Sequence, residues 1–104
     1  MQLLNKAQLK FLRKASHPLK PLFQMGKKGL SEEFITQVDA AIEKRELIKF
    51  TILQNSDEDL DEVAEKIADE IGGLVVQTIG STAVIYRPSS KEKFQDLSQQ
   101  IKSL

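Results

Sequence analysis

The chain has 104 residues, of which 40% are apolar and 29% charged, with equal numbers of acidic and basic side chains and no cysteine. That length encloses one hydrophobic core and not two, the composition is that of a folded domain, and disulfides and thiolate metal sites are excluded. No apolar run approaches the roughly 20 residues of a membrane span, and Met1-Gln2-Leu3-Leu4-Asn5-Lys6 lacks the apolar core of a secretory signal, so a cytoplasmic protein is expected.

The elements follow in chain order. Leu4, Ala7, Phe11, Leu12 and Ala15 keep helical spacing, and Asn5 with Gln8 makes a capping-box pattern, which predicts a first helix over residues 6–16. His17-Pro18-Leu19-Lys20-Pro21 cannot extend it, because each proline lacks an N–H and restricts its predecessor. Leu22 to Met25 reads as a short strand running into Gly26-Lys27-Lys28-Gly29. Ser31 is a natural N-cap for a second helix whose stripe is Phe34, Ile35, Val38, Ala41 and Ile42, ending near the cations Lys44 and Arg45. Leu47 to Leu53 is a second strand. A third helix carries Leu60, Val63, Ala64, Ile67, Ala68 and Ile71 after a Ser56 or Asp57 cap and stops at Gly72-Gly73. Strands over 74–79 and 82–87 meet at Gly80-Ser81, which suits a type II′ turn. After Pro88, Ser89 and Glu92 are read as the S-x-x-E start of a terminal helix with Phe94, Leu97 and Ile101. The order α-β-α-β-α-β-β-α predicts a two-layer α/β domain with a four-stranded mixed sheet: crossovers set successive strands parallel, and the hairpin adds one antiparallel strand.

Zero net charge argues against a phosphate-binding protein, but its distribution reverses the argument. Residues 1–30 hold Lys6, Lys10, Arg13, Lys14, Lys20, Lys27 and Lys28 with no carboxylate, whereas residues 55–71 hold eight carboxylates against Lys66 alone. At about 100° per residue, Lys6, Lys10, Arg13 and Lys14 fall within roughly a 100° arc opposite the apolar stripe of the first helix. Both blocks also read as simple solvated faces.

Gly26-Lys27-Lys28-Gly29 is a G-x-x-G loop between a strand and a helix. Without Cβ atoms the glycines let backbone amides approach a phosphodiester, and the lysines between them neutralise its charge. A turn-only role, with Gly29 supplying a positive φ ahead of Ser31, stands beside this reading. Glu32 and Glu33 occupy the first turn of the second helix, so the contact is assigned to the loop lysines and loop amides and not to that helix end. Catalytic chemistry is poorly supplied: one histidine, His17, suited to capping a helix end, and no serine in a nucleophile-elbow context. Asp57, Asp59 and Asp61 start like a calcium loop, but Glu62 stands where glycine is needed and Ala68 where glutamate is needed. Tyr86 and Phe50 are read as core aromatics before base-stacking ones. No enzyme, metal, cofactor or small-molecule substrate is expected.

Leu19-Lys20-Pro21, Gly26-Lys27-Lys28-Gly29-Leu30, Glu46-Leu47-Ile48-Lys49, and Ile79-Gly80 with Tyr86-Arg87-Pro88 together resemble the signature of the CRM domain, the chloroplast RNA-splicing and ribosome-maturation family. The likeness runs from residue 1 to about 97 and is strongest to bacterial stand-alone YhbY-type members. It implies a fold similar to the C-terminal domain of bacterial translation initiation factor three and RNA contact through Gly26, Lys27, Lys28 and Gly29. Lys20, Lys49 and Arg87 follow as supporting cations, although Lys49 and Arg87 are equally strand-end charges. The expected organisation is an RNA-binding domain over 1–97 followed by the end of a terminal helix over 98–104. The expected role is that of a monomer on structured RNA, ribosomal RNA of large-subunit precursors, in ribosome assembly. An adaptor that docks a basic partner on the acidic third helix is the alternative.

Overall fold

The computed structural model describes residues 4–26, 29–53 and 58–104. Helix α1 (Lys6–Ser16) is followed by β1 (Phe23–Met25), α2 (Glu32–Arg45), β2 (Leu47–Ile52), α3 (Leu60–Ile71), the hairpin β3 (Leu74–Ile79) and β4 (Thr82–Tyr86), a 3₁₀ turn over Glu92–Phe94 and α4 (Asp96–Ile101). The sequence capped the helices as expected at three points. Asn5 and Gln8 form the reciprocal capping box of α1, Ser31 Oγ accepts the Phe34 amide at 3.1 Å, and Gly72 closes α3 in the left-handed region. The α3 cap is Asp59, whose carboxylate accepts the amides of Asp61 and Glu62. The expected caps Ser56 and Asp57 lie outside the described residues.

The sheet order is β1-β2-β4-β3. β1 runs parallel to β2, while β4 is antiparallel to both β2 and β3. The second strand of the hairpin inserts between β2 and β3, and the sheet has two antiparallel pairs where one was expected. Gly80 has φ +58°, and Ser81 is not among the positive-φ residues, the pattern of a II′ turn. A register shift between Val75 and Gln77 leaves Val76 as an extra residue in β3.

Both faces of the sheet are covered, which corrects the two-layer expectation. On the first face Ile48, Phe50, Ile52, Ala83 and Ile85 pack with Phe34, Val38 and Ile42 of α2 and Val63, Ile67 and Ile71 of α3. The rings of Phe34 and Phe50 meet edge to face, their centroids 5.7 Å apart. On the second face Leu47, Val76, Val84 and Tyr86 pack with Leu12 of α1 and Ile101 of α4. The alternation of a strand explains this: Leu47 and Ile48, or Val84 and Ile85, point to opposite sides, and both sides are apolar. Phe50 and Tyr86 are core aromatics, at 0% and 1% exposure. Ala7, read as part of the buried stripe of α1, is exposed.

The terminal segment is docked and not frayed. Its start differs from the S-x-x-E reading: Ser89 does not cap a helix with Glu92. Instead the chain turns through the 3₁₀ segment, and α4 begins at Asp96. Ile101 of this segment is buried in the second core.

Candidate nucleic-acid interface

The second face of the sheet is only partly covered by α1 and α4, and what remains open is polar. Gln24 alternates with the buried-side residues Phe23 and Met25, and Thr51 with Phe50 and Ile52, so both look outward on that face. Thr51 and Thr82 pair across the strands with their hydroxyls 3.3 Å apart. A shallow depression beside them is lined by His17, Pro21, Lys49, Gln77 and Thr82, with Ile79 at its rim. Lys49 extends from the middle of this face and donates through Nζ to the Leu19 carbonyl at 3.0 Å. Lys20 is exposed and shares a cleft with Lys49. The structure thus brings two expected cations together from elements 29 positions apart in sequence.

Helix α1 lies over this same face. Lys6, Lys10, Arg13 and Lys14 are all exposed on it, opposite the side that sends Leu12 into the core. None of the four has an ion pair among the described residues. Arg13 and Lys14 also sit in the last turn, where cations oppose the helix dipole favourably.

Gly26 follows β1 at the end of the sheet that also carries the Gly80-Ser81 turn, since Met25 pairs with Ile52 and Thr51 pairs with Thr82. Lys27 and Lys28 lie outside the described residues. The flanking glycines are defined. Gly29 donates its amide to the Gly26 carbonyl at 3.0 Å, closing a turn, and adopts φ +67°. That amide is used internally, so it is not one of the loop amides offered to a phosphate. The positive-φ role expected of Gly29 is present. Glu58 packs directly against this glycine: a Cβ there would come within 2.5 Å of Glu58 Oε1. The acidic block therefore touches one shoulder of the loop, while Glu32, Glu62 and Glu70 line a groove with Glu58 between α2 and α3.

Arg87 is placed elsewhere. It follows Tyr86 in the chain and turns to the first face, where its guanidinium donates to the Asp39 carboxylate, to the Ile71 carbonyl at 2.9 Å and to Glu43 at 3.4 Å. It ties α2 to the carbonyl end of α3, away from Lys20 and Lys49. Glu43 in turn accepts the hydroxyl and the amide of Ser90. These Ser90 hydrogen bonds, with some help from Arg87, hold the Glu43 carboxyl below its ordinary range.

Two residues near the interface were not expected from sequence. Arg45, read only as a helix-end cation, lines the cleft of Lys20 and Lys49. Glu46, noted as part of the family signature, is wholly buried. It ends α2 at φ +64°, the only described non-glycine residue with positive φ, and its carboxylate accepts the Ser89 amide at 2.7 Å and the Ser98 amide at 3.0 Å. The neighbouring Tyr86 phenol is pushed up to about 12, first by burial and then by the Glu46 charge, against a lowering hydrogen bond with Ser98. Among the described residues, no group of three or more His, Asp or Glu side chains is arranged to hold a metal ion, and no helix is long and apolar enough to cross a membrane.

Known proteins share this sequence and fold. The chain is 45% identical over 86 residues to YqeI of Bacillus subtilis, a protein named as a candidate RNA-binding protein, covering 83% of this chain and 90% of the relative. It is 34% identical over 95 residues to an RNA-binding protein of Haemophilus influenzae, covering 91% and 96%. The solution structure of a Staphylococcus aureus protein proposed to bind RNA superposes with a TM-score of 0.73 at 42% identity, covering 86% of this chain and 94% of that one. Residues 4–87 match the family model of the CRS1/YhbY (CRM) domain. With most of its length matched by that model and by relatives of this identity, the chain belongs to the CRM domain family.

Proposed function

We propose that the chain binds structured RNA, ribosomal RNA of large-subunit precursors, without performing chemistry on it. The observation that carries this reading is the segregation of charge across the sheet. Lys6, Lys10, Arg13, Lys14, Lys20 and Lys49 belong to the side covered by α1, and the carboxylates of α3 belong to the side covered by α2 and α3. One side of a molecule with no net charge is thereby left cationic enough to displace counterions from a phosphate backbone. The names of the relatives favour the same ligand. Gly26, Lys27, Lys28 and Gly29 are assigned to the backbone contact, with Gly29 as a turn former. Arg87, held by Asp39 and Glu43, is left out of the contact set. The same reading retains kinship of fold with the C-terminal domain of bacterial translation initiation factor three, and a monomer acting in the cytoplasm during ribosome assembly.

The test is direct. Lys27→Ala with Lys28→Ala is expected to weaken binding to ribosomal RNA fragments and to make the plot of affinity against salt shallower by about one to two ions, with the fold intact. Unchanged affinity and slope would remove the loop from the contact. Crosslinking in cells, with sequencing of the attached RNA, identifies the target, and an absence of ribosomal RNA among the products would refute that part.

A further inference from the structure

The cleft shared by Lys20 and Lys49 has a second property that phosphate contact does not require: its floor and walls are apolar. It encloses about 520 Å³ and is formed by Leu19 and Leu22 of the connector, Leu47 of β2 and Leu97 of α4. Leu19 and Leu22 stand 37% and 41% exposed and border the same cleft, so their apolar surface is contiguous with that of Leu47 and Leu97. Lys20, Arg45 and Lys49 are the charged residues lining the cleft, and no carboxylate lines it. None of the three has an ion pair among the described residues.

We infer that this cleft seats one unstacked nucleobase of the bound RNA between aliphatic walls, with the flanking phosphates held by Lys20, Arg45 and Lys49. The inference rests on the RNA reading above and adds a base-contacting site to it. A nucleotide within a strand presents a base with two flat, weakly polar faces and a phosphate on either side of its sugar, and the cleft offers an apolar slot with cations around it. RNA loops and single strands are recognised by splaying bases out of the stack onto side chains. A free inorganic phosphate would leave the leucines uncovered, and an aliphatic ligand would leave the cations unmatched.

The slot is also held in shape before any ligand arrives. Pro18 and Pro21 fix φ on both sides of Leu19. The Leu22 amide donates to the Lys49 carbonyl at 2.8 Å, and Lys49 Nζ donates to the Leu19 carbonyl at 3.0 Å. The ammonium has three donors, so this bond leaves two for a phosphate. Leu22 lies four positions before Gly26 along the strand direction, on the order of 13 Å at strand rise. A single RNA strand can therefore run along β1 from the glycine loop to the cleft.

The experiment uses the full chain with leucine methyl groups labelled for NMR, and three probes: adenosine 5′-monophosphate, ribose 5-phosphate and a short oligoadenylate. The expected result is a ring-current shift of the Leu19, Leu22, Leu47 and Leu97 methyls with the mononucleotide and the oligonucleotide but not with ribose 5-phosphate. Leu19→Asn with Leu22→Asn, both at exposed positions, is expected to abolish the shifts of the remaining Leu47 and Leu97 methyls. It should lower oligoadenylate affinity about tenfold with the salt slope unchanged, because base contacts and phosphate contacts separate in that way. Arg45→Ala is expected to weaken mononucleotide binding about fivefold and to leave the methyl positions of the free protein in place. If ribose 5-phosphate moves the same methyls equally, or if the mononucleotide leaves them unmoved while oligoadenylate binds with its full salt slope, the base site is overturned and the RNA reading stands. If neither oligoadenylate nor ribosomal RNA fragments bind but the mononucleotide shifts persist, the RNA reading is overturned and the cleft remains a nucleotide site. No shift and no RNA binding overturns both.

Discussion

The Glu46 carboxylate accepts the amide of Ser98 at 3.0 Å across 52 positions of sequence, inside the protein. The same carboxylate holds Ser89 at 2.7 Å, and the Glu46 carbonyl accepts the Arg87 amide at 2.9 Å. One residue at the end of α2 thus organises the whole path from β4 to α4. Glu46→Gln replaces an accepting oxygen with a donor facing an N–H, and a buried amide loses its partner. We expect a loss of about 2–3 kcal/mol in urea unfolding. Glu46→Gly would relieve the left-handed backbone, worth about 1 kcal/mol, but leaves both amides unmet. A Gly variant more stable than the parent would refute the role given to the carboxylate.

Tyr86 is the sole tyrosine, and there is no tryptophan, so phenolate absorbance reports on one group. Its folded value of about 12 lies above the ordinary 10.0. Below pH 10 the phenol is protonated in both states and stability is unaffected. Between the two values the unfolded chain gives up its proton and the folded one does not, so stability falls as pH rises through that window. The native protein is expected to show no tyrosinate until well above pH 10, where ionisation and unfolding coincide. A simple titration near 10 with the fold retained would contradict the burial described.

Leu12 is the apolar side chain of α1 that is wholly buried in the core of the second face, and Phe50 is wholly buried in that of the first. Leu12→Ala is expected to cost about 2–5 kcal/mol and Phe50→Ala about 3–5 kcal/mol, both in one cooperative transition. If Leu12→Ala instead melts α1 separately while the remaining protein keeps its midpoint, the helix is an attachment and not a layer.

Most helix and strand positions were readable because local signals agreed: Asn5 with Gln8, Ser31 before Phe34, Gly72 after Ile71, and Gly80 between two β-branched runs. The errors share a cause. The two-layer expectation and the single antiparallel pair both depend on partners distant in sequence, as does the hold of Asp39 and Glu43 on Arg87. Alternation predicts that Val84 and Ile85 oppose each other but not that helices cover both. The Ser89 pattern misled because its amide is claimed by Glu46, a competitor that no local window contains. For the interface, the cations of α1 were legible from spacing, whereas the joining of Lys20 and Lys49 with Arg45 required the fold.

Glu58 sets its carboxylate beside Gly29, on the loop assigned to RNA. Glu58→Gln is expected to raise RNA affinity about twofold, the size of one unit charge several ångströms away in a high-dielectric setting. The gain should be visible at low salt and vanish at high salt. A neutral result at low salt would place the bound RNA away from this shoulder of the loop.

Gly29→Ala joins two penalties, a left-handed backbone and a Cβ directed at Glu58. It is expected to lower stability by about 1–2 kcal/mol and to reduce RNA affinity by displacing the loop. A variant with parental stability and affinity would mean that neither constraint operates in solution.

The position of β4 between β2 and β3 has a consequence for how the molecule comes off the ribosome. Without residues 82–86 no strand is present to fill the place, about 10 Å wide, that separates β2 from β3 in the folded sheet. The last strand to be made therefore supplies the centre of the sheet and not its margin. A nascent chain halted before that point exposes two strand edges at once, which makes it a substrate for chaperones and an invitation to mispairing.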